Sequence, residues 1–153
     1  MSRPPDPGQA LDRGFRFAYP AGLALCVLWP LVLQVLLGTV IHRIPGPPPG
    51  AAVQQLGYTF TGLTLACALG ITWRWGRLRA SFRKVPIQRQ GLVLVREIVL
   101  YSVLCEFSTL FGVLYYGLGG PERFARGFIA LTAVMFFAFV PRLSTWREAA
   151  HGE

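Results

Sequence analysis

The sequence predicts an all-α fold, an integral membrane bundle of four transmembrane helices, on three observations. Hydrophobic residues fill 53% of the 153 positions and charged residues only 14%, where a soluble domain carries about 25% charge. Four apolar runs are each long enough for the roughly 20 residues that cross a bilayer. The basic residues gather beside those runs, as topology requires of a membrane protein. A mean hydropathy of +0.46 agrees. Four spans and their loops use up the length, so no separate soluble catalytic domain is expected.

Residues 1–14, with Pro4, Pro5, Pro7 and Gly8, read as a flexible N-terminal tail. The first span is expected over 15–41. It is too long for a signal-peptide core and no small-residue cleavage site follows it. Pro20 falls in its expected first turn, and Pro30 in its middle, where proline kinks a helix. The run Pro45-Gly46-Pro47-Pro48-Pro49 makes a stiff loop outside the bilayer. The second span is expected over 54–73. Gly62, Ala66 and Gly70 recur along it every four residues, which puts three small side chains on one face, a pattern that lets a neighbouring backbone come close.

Residues 74–91 are expected to form a basic cytoplasmic loop. Arg74, Arg77, Arg79, Arg83 and Lys84, interleaved with Trp75, Leu78 and Phe82, carry the mark of an interface with anionic lipid headgroups. The third span follows over 92–118 and closes on Gly119-Gly120-Pro121, a turn sequence. The fourth covers 124–140 and stops before Pro141, with Arg126 snorkelling outward. Residues 142–153 read as a polar C-terminal tail. Phe17, Tyr19, Trp73, Trp75, Tyr115, Tyr116 and Trp146 lie near the expected interfaces, where an aromatic belt belongs.

The net charge is +8. On a soluble chain that charge suggests nucleic acid. Here seven of the fifteen Lys and Arg residues lie between Arg74 and Arg96, and the positive-inside rule accounts for them, so no nucleic-acid partner is expected. The same rule places the 74–91 loop and both termini in the cytoplasm. One lysine against fourteen arginines fits a GC-rich bacterial genome and hence a bacterial inner membrane. Cys26, Cys67 and Cys105 lie in three different apolar runs and share no metal-ligand spacing. His42 and His151 cannot face each other inside a bundle. No metal and no cofactor are expected.

Glu106 stands near the middle of the third run. A carboxylate at that depth costs about 2.5–3.5 kcal/mol to insert, so the group needs a use. Ser102 lies four residues before it and Thr109 three after, with Cys105, Gly112 and Tyr116 near the same stripe. Leu100, Leu104, Phe107, Leu114 and Leu118 take the opposite side. The third span therefore turns a small, polar seam toward protein. In its neutral form a carboxyl donates one hydrogen bond and accepts others. Glu106, Ser102 and Thr109 are the candidate proton- or ion-binding residues. Glu97 sits beside Arg96 near the membrane edge, on the face opposite Glu106.

The stretch 61–118 resembles the helical hairpin of the rotary ATPase proteolipid, subunit c. The resemblance lies in the small-residue helix Gly62/Ala66/Gly70, the polar connection Arg83-Lys84-Val85-Pro86-Ile87-Gln88-Arg89-Gln90, and Glu106 with Gly112 six residues on. It implies that Glu106 matches the ion-carrying carboxylate of that family. The glycine at every second residue in the family's first helix is missing here, Trp73 and Trp75 are bulky for a tight ring, and two further helices flank the hairpin. Two functions are weighed. The first is a non-catalytic subunit or assembly partner of a larger membrane complex, bound to other membrane subunits or to itself. The alternative is a proton- or cation-translocating component built on Glu106. No enzyme is expected, because no span holds a Ser/His or Ser/Lys pair or a second carboxylate for acid–base work.

Overall fold

A computed structural model of the chain describes residues 7–39 and 50–151, nearly all of them helical. The proline-rich connection expected at 42–50 lies outside the described residues except for Gly50, as do the end of the first run at 40–41 and the extreme tails, 1–6 and 152–153. Helix α1 (Pro7–Leu23) passes through a π turn (Ala24–Leu28) into α2 (Trp29–Thr39), making one long first helix. It is followed by α3 (Ala51–Phe82), α4 (Ile87–Gly117), α5 (Glu122–Phe139) and the short α6 (Leu143–His151). Four stretches are long and apolar enough to cross a membrane: Gln9–Thr39, Ala51–Phe82, Ile87–Gly117 and Glu122–Ala150. Helix α4 is central and packs against α1, α3 and α5, while α2 packs on α5.

The first helix starts at Pro7, inside the segment expected to be a tail. Leu11 and Ala18 are the reason: seven residues apart, they bury against the core and hold the preceding turns in place. Pro20 consequently lies well inside α1 and not in its first turn. Pro30 has no N–H to give, and its ring would press on the carbonyl four residues back. The chain widens instead of breaking: the Trp29 N–H reaches the Ala24 carbonyl, five residues earlier.

The segment 74–91 is not a loop. Helix α3 continues to Phe82 and α4 begins at Ile87, so only 83–86 turns. The inward positions run Thr64, Ala68, Ile71, Trp75, Leu78 and Phe82, a repeat that keeps one α3 face on the core straight through the basic stretch. Lys84 and Val85 close the turn by donating to Ser81 and Phe82, both at 3.0 Å, and Pro86 opens α4. At the opposite end α4 stops at Gly117, and the chain turns at Gly119, whose φ of 86° suits glycine. Gly120 follows because a Cβ there lies 2.5 Å from the Tyr115 ring. Pro141 stops α5, and the chain restarts as α6 instead of trailing off as a polar tail.

At the basic end, α6 folds back over the bundle. Trp146, expected at an interface, is fully buried, edge-on to Trp75 at 4.7 Å and to Phe82 at 5.1 Å between ring centroids. Arg147 donates to both carboxylate oxygens of Asp12 at 2.7 and 2.8 Å and ties α6 to α1.

The tightest helix contact is between α4 and α5. Ser108 donates to the Phe128 carbonyl at 2.7 Å, and Thr109 shares a 2.8 Å hydrogen bond with Thr132. A Cβ on Gly112 lies 2.7 Å from the Ala125 carbonyl oxygen. Backbone yields less readily than a side chain, so Gly112→Ala is expected to cost about 1–3 kcal/mol. Gly62 in α3 is the control: a Cβ there meets nothing within 4 Å, and Gly62→Ala is expected to be neutral or to gain up to about 1 kcal/mol of helix propensity. Melting curves in one detergent compare the two, and equal losses would contradict this assignment of faces.

Candidate functional site

Gly62, Ala66 and Gly70 are all exposed. A small-residue face was expected to pack against a neighbour, but within the described residues it packs against none. The three lie two residues off the inward positions Thr64 and Ala68, which is roughly 200° around the helix. Cβ atoms built on Gly62 and Gly70 meet nothing within 4 Å. Tyr58, Leu65, Leu69 and Trp73 are exposed beside them. Only 17% of the most apolar window of α3 is buried, against 44% for α4.

The basic cluster divides. Arg74, expected at lipid headgroups, turns inward and makes two 2.6 Å hydrogen bonds to Glu97, one to each carboxylate oxygen. Glu97 is 3% exposed, and Tyr101 is buried one turn further along α4. Sequence reasoning missed this pair. The signal was present: in a hairpin that turns at 83–86, Arg74 and Glu97 stand at similar distances from the tip. Arg77 lies over the Trp73 ring at 4.2 Å, and Arg79 reaches Glu148 of α6 at 3.8 Å. Arg83 and Lys84 are exposed at the turn. At the far end Arg126 pairs with Glu122 and its carbonyl accepts from Gln34 at 2.6 Å.

Glu106 is half-buried where α4 passes the π turn of the first helix. It lines a cleft of about 430 Å³ together with Leu25, Trp29, Leu33, Val103, Phe107 and Leu110. Val113 and Thr109 complete the lining. The cleft opens to the outer surface of the bundle, and six of these residues are themselves exposed there. One carboxyl oxygen, Oε2, is shielded and has no hydrogen-bond partner among the described residues. Of the two hydroxyls grouped with Glu106, Thr109 shares the cleft, bonds to the Glu106 carboxyl and shares a second hydrogen bond with Thr132. Ser102 is not brought in. Its hydroxyl donates to the Ile98 carbonyl at 2.8 Å, and its own carbonyl accepts from the Cys26 thiol at 3.3 Å. Ser102 thus serves the contact with the first helix, where a Cβ on Gly22 lies 2.5 Å from its Oγ.

Among the described residues no group of three or more His, Cys, Asp or Glu could hold a metal ion. Among the described residues the fold is all-helical, with four helices long and apolar enough to cross a membrane. Comparison with protein-family models, curated proteins and solved structures finds no match.

Proposed function

We propose that this is a small multi-pass protein of a bacterial inner membrane, both termini cytoplasmic, acting as a non-catalytic subunit or assembly partner of a larger membrane complex. The observation that carries the reading is the outward stripe Gly62, Ala66 and Gly70 on the least buried helix. In lipid, helices associate through close packing and not through hydrophobic exclusion, and small residues let backbones meet. The seam of α4 is already filled by α1 and α5, whereas the small-residue face of α3 is open to a further helix. The exposed side chains Arg83 and Lys84, with Arg77 on Trp73, suit the anionic cytoplasmic leaflet.

Gly62→Ile with Gly70→Ile tests it. After gentle extraction, the unaltered chain is expected to migrate on blue-native gels with a larger complex. The double variant is expected to run as the free chain with a melting temperature no lower than that of the unaltered chain. Co-migration of the two forms would remove the reading. The alternative, proton or cation translocation by Glu106, draws on the hairpin resemblance and on the unpartnered carboxyl oxygen. It has less support along the cleft, where Thr109 is the one other polar residue on the lining.

A further inference from the structure

We infer that the cleft at Glu106 is a binding site for a lipophilic ammonium, a single N–H-bearing cation on an apolar body, entering from the bilayer. The inference rests on the membrane reading above and is independent of assembly through α3. Three features carry it.

The first is charge complementarity. Among the described residues, the cleft lining holds one carboxyl and no cation. Arg74 and Arg126 are committed elsewhere, to Glu97 and Glu122. The Glu106 carboxyl lies on the lining beside a single hydroxyl, that of Thr109, and no cation among the described residues pairs with it. A charge-assisted N–H···O bond is shorter and stronger than a neutral one, and a low-dielectric surrounding strengthens it further.

The second is the shape and chemistry of the walls. Leu25, Leu33, Val103, Leu110 and Val113 present aliphatic surface, and Trp29 and Phe107 add aromatic rings. A volume of about 430 Å³ falls within the roughly 300–1,000 Å³ of small-molecule pockets. A bare ion needs several oxygen ligands, which these walls lack. An alkyl or aryl body needs apolar contact, which they offer, and aromatic rings also attract an ammonium.

The third is access. Leu25, Trp29, Val103, Phe107, Leu110 and Val113 are exposed on the outer surface of the bundle. In a membrane that surface meets acyl chains, so a ligand already dissolved in the bilayer reaches Glu106 without crossing water. A base arriving neutral takes the carboxyl proton onto its nitrogen, and one arriving protonated meets a carboxylate. Both routes end as the same ammonium–carboxylate pair.

The test uses the full chain in phosphatidylcholine nanodiscs, with radiolabelled dodecylamine as probe and empty discs subtracted. One saturable site per chain is expected. Glu106→Gln should weaken binding at least tenfold, and unlabelled dodecanol, with the same chain and no charge, should fail to compete. Leu110→Trp keeps the carboxyl but fills the cleft and should also weaken binding at least tenfold, which covers the case of a Glu106→Gln variant that does not fold. Retention of affinity within twofold in either variant, or competition by dodecanol equal to that of unlabelled dodecylamine, would overturn the site. A chain that stays outside the discs overturns the membrane reading and the site with it, whereas a chain that inserts and ignores the amine overturns the site alone.

Discussion

Arg74→Leu is expected to lower folding stability by about 3–5 kcal/mol, the cost of leaving a buried charge without its partner. The measurement is denaturation by SDS in mixed micelles. Removing the other partner should cost much less, about 1 kcal/mol for Glu97→Gln, because the two ends of the pair live in different solvents. Glu97 is 3% exposed and cannot turn to water, whereas the Arg74 side chain is 41% exposed and can. The double variant Arg74→Leu, Glu97→Leu should recover most of the loss, since no charge is then stranded in the α3–α4 contact. A Glu97→Gln variant as unstable as Arg74→Leu would show that the asymmetry is wrong.

Trp146→Ala is expected to undock α6 while leaving the four long helices folded. Truncating a buried tryptophan costs about 3–5 kcal/mol, and the alanine can no longer pack edge-on against Trp75 and Phe82. The indole N–H makes no hydrogen bond among the described residues, so the anchorage is ring packing. Trp146→Phe should therefore keep much of it. Arg147→Ala removes only a half-exposed ion pair with Asp12 and should cost about 0–1 kcal/mol. Hydrogen exchange over 143–150 reads all three. The alanine variant at 146 should exchange by two orders of magnitude or more faster, at about tenfold per 1.4 kcal/mol. Unchanged protection there would mean that other packing holds α6.

The four apolar runs were legible because span length is a one-dimensional property, and so was the glycine–proline turn at 119–121. The basic stretch misled because charge reports solvation and not backbone conformation. Arg74 to Lys84 carry the polarity of a loop, yet Trp75, Leu78 and Phe82 keep the inward repeat begun at Thr64. Once that connection is overestimated, the Arg74–Glu97 pairing disappears, since it depends on how tightly the hairpin turns. The stripe Gly62, Ala66 and Gly70 was legible as a stripe, but spacing alone does not say which way it faces. The seam of α4 was readable in part: Ser102, Cys105, Thr109 and Gly112 are small and buried and Phe107, Leu114 and Leu118 bulky and exposed, but Leu104, expected with the bulky set, packs on the core. Helix α6 hid because nine residues with a charged pair, Arg147 and Glu148, look soluble. Its order comes from Trp146 and Ala149, three residues apart, meeting an apolar surface built by other parts of the chain.

The wide turn at Ala24–Leu28 also limits how the first helix can vary. It carries one residue beyond a regular α-helix, and everything after it is rotated by roughly 100°. Below it α1 leans on α4, and above it α2 leans on α5, with Gln34 bonded to the Arg126 carbonyl and Gly38 close against the Arg126 guanidinium. Losing a single residue here would restore a regular spiral and swing Gln34 away from its acceptor. Gaining or losing residues at this point therefore amounts to exchanging neighbours.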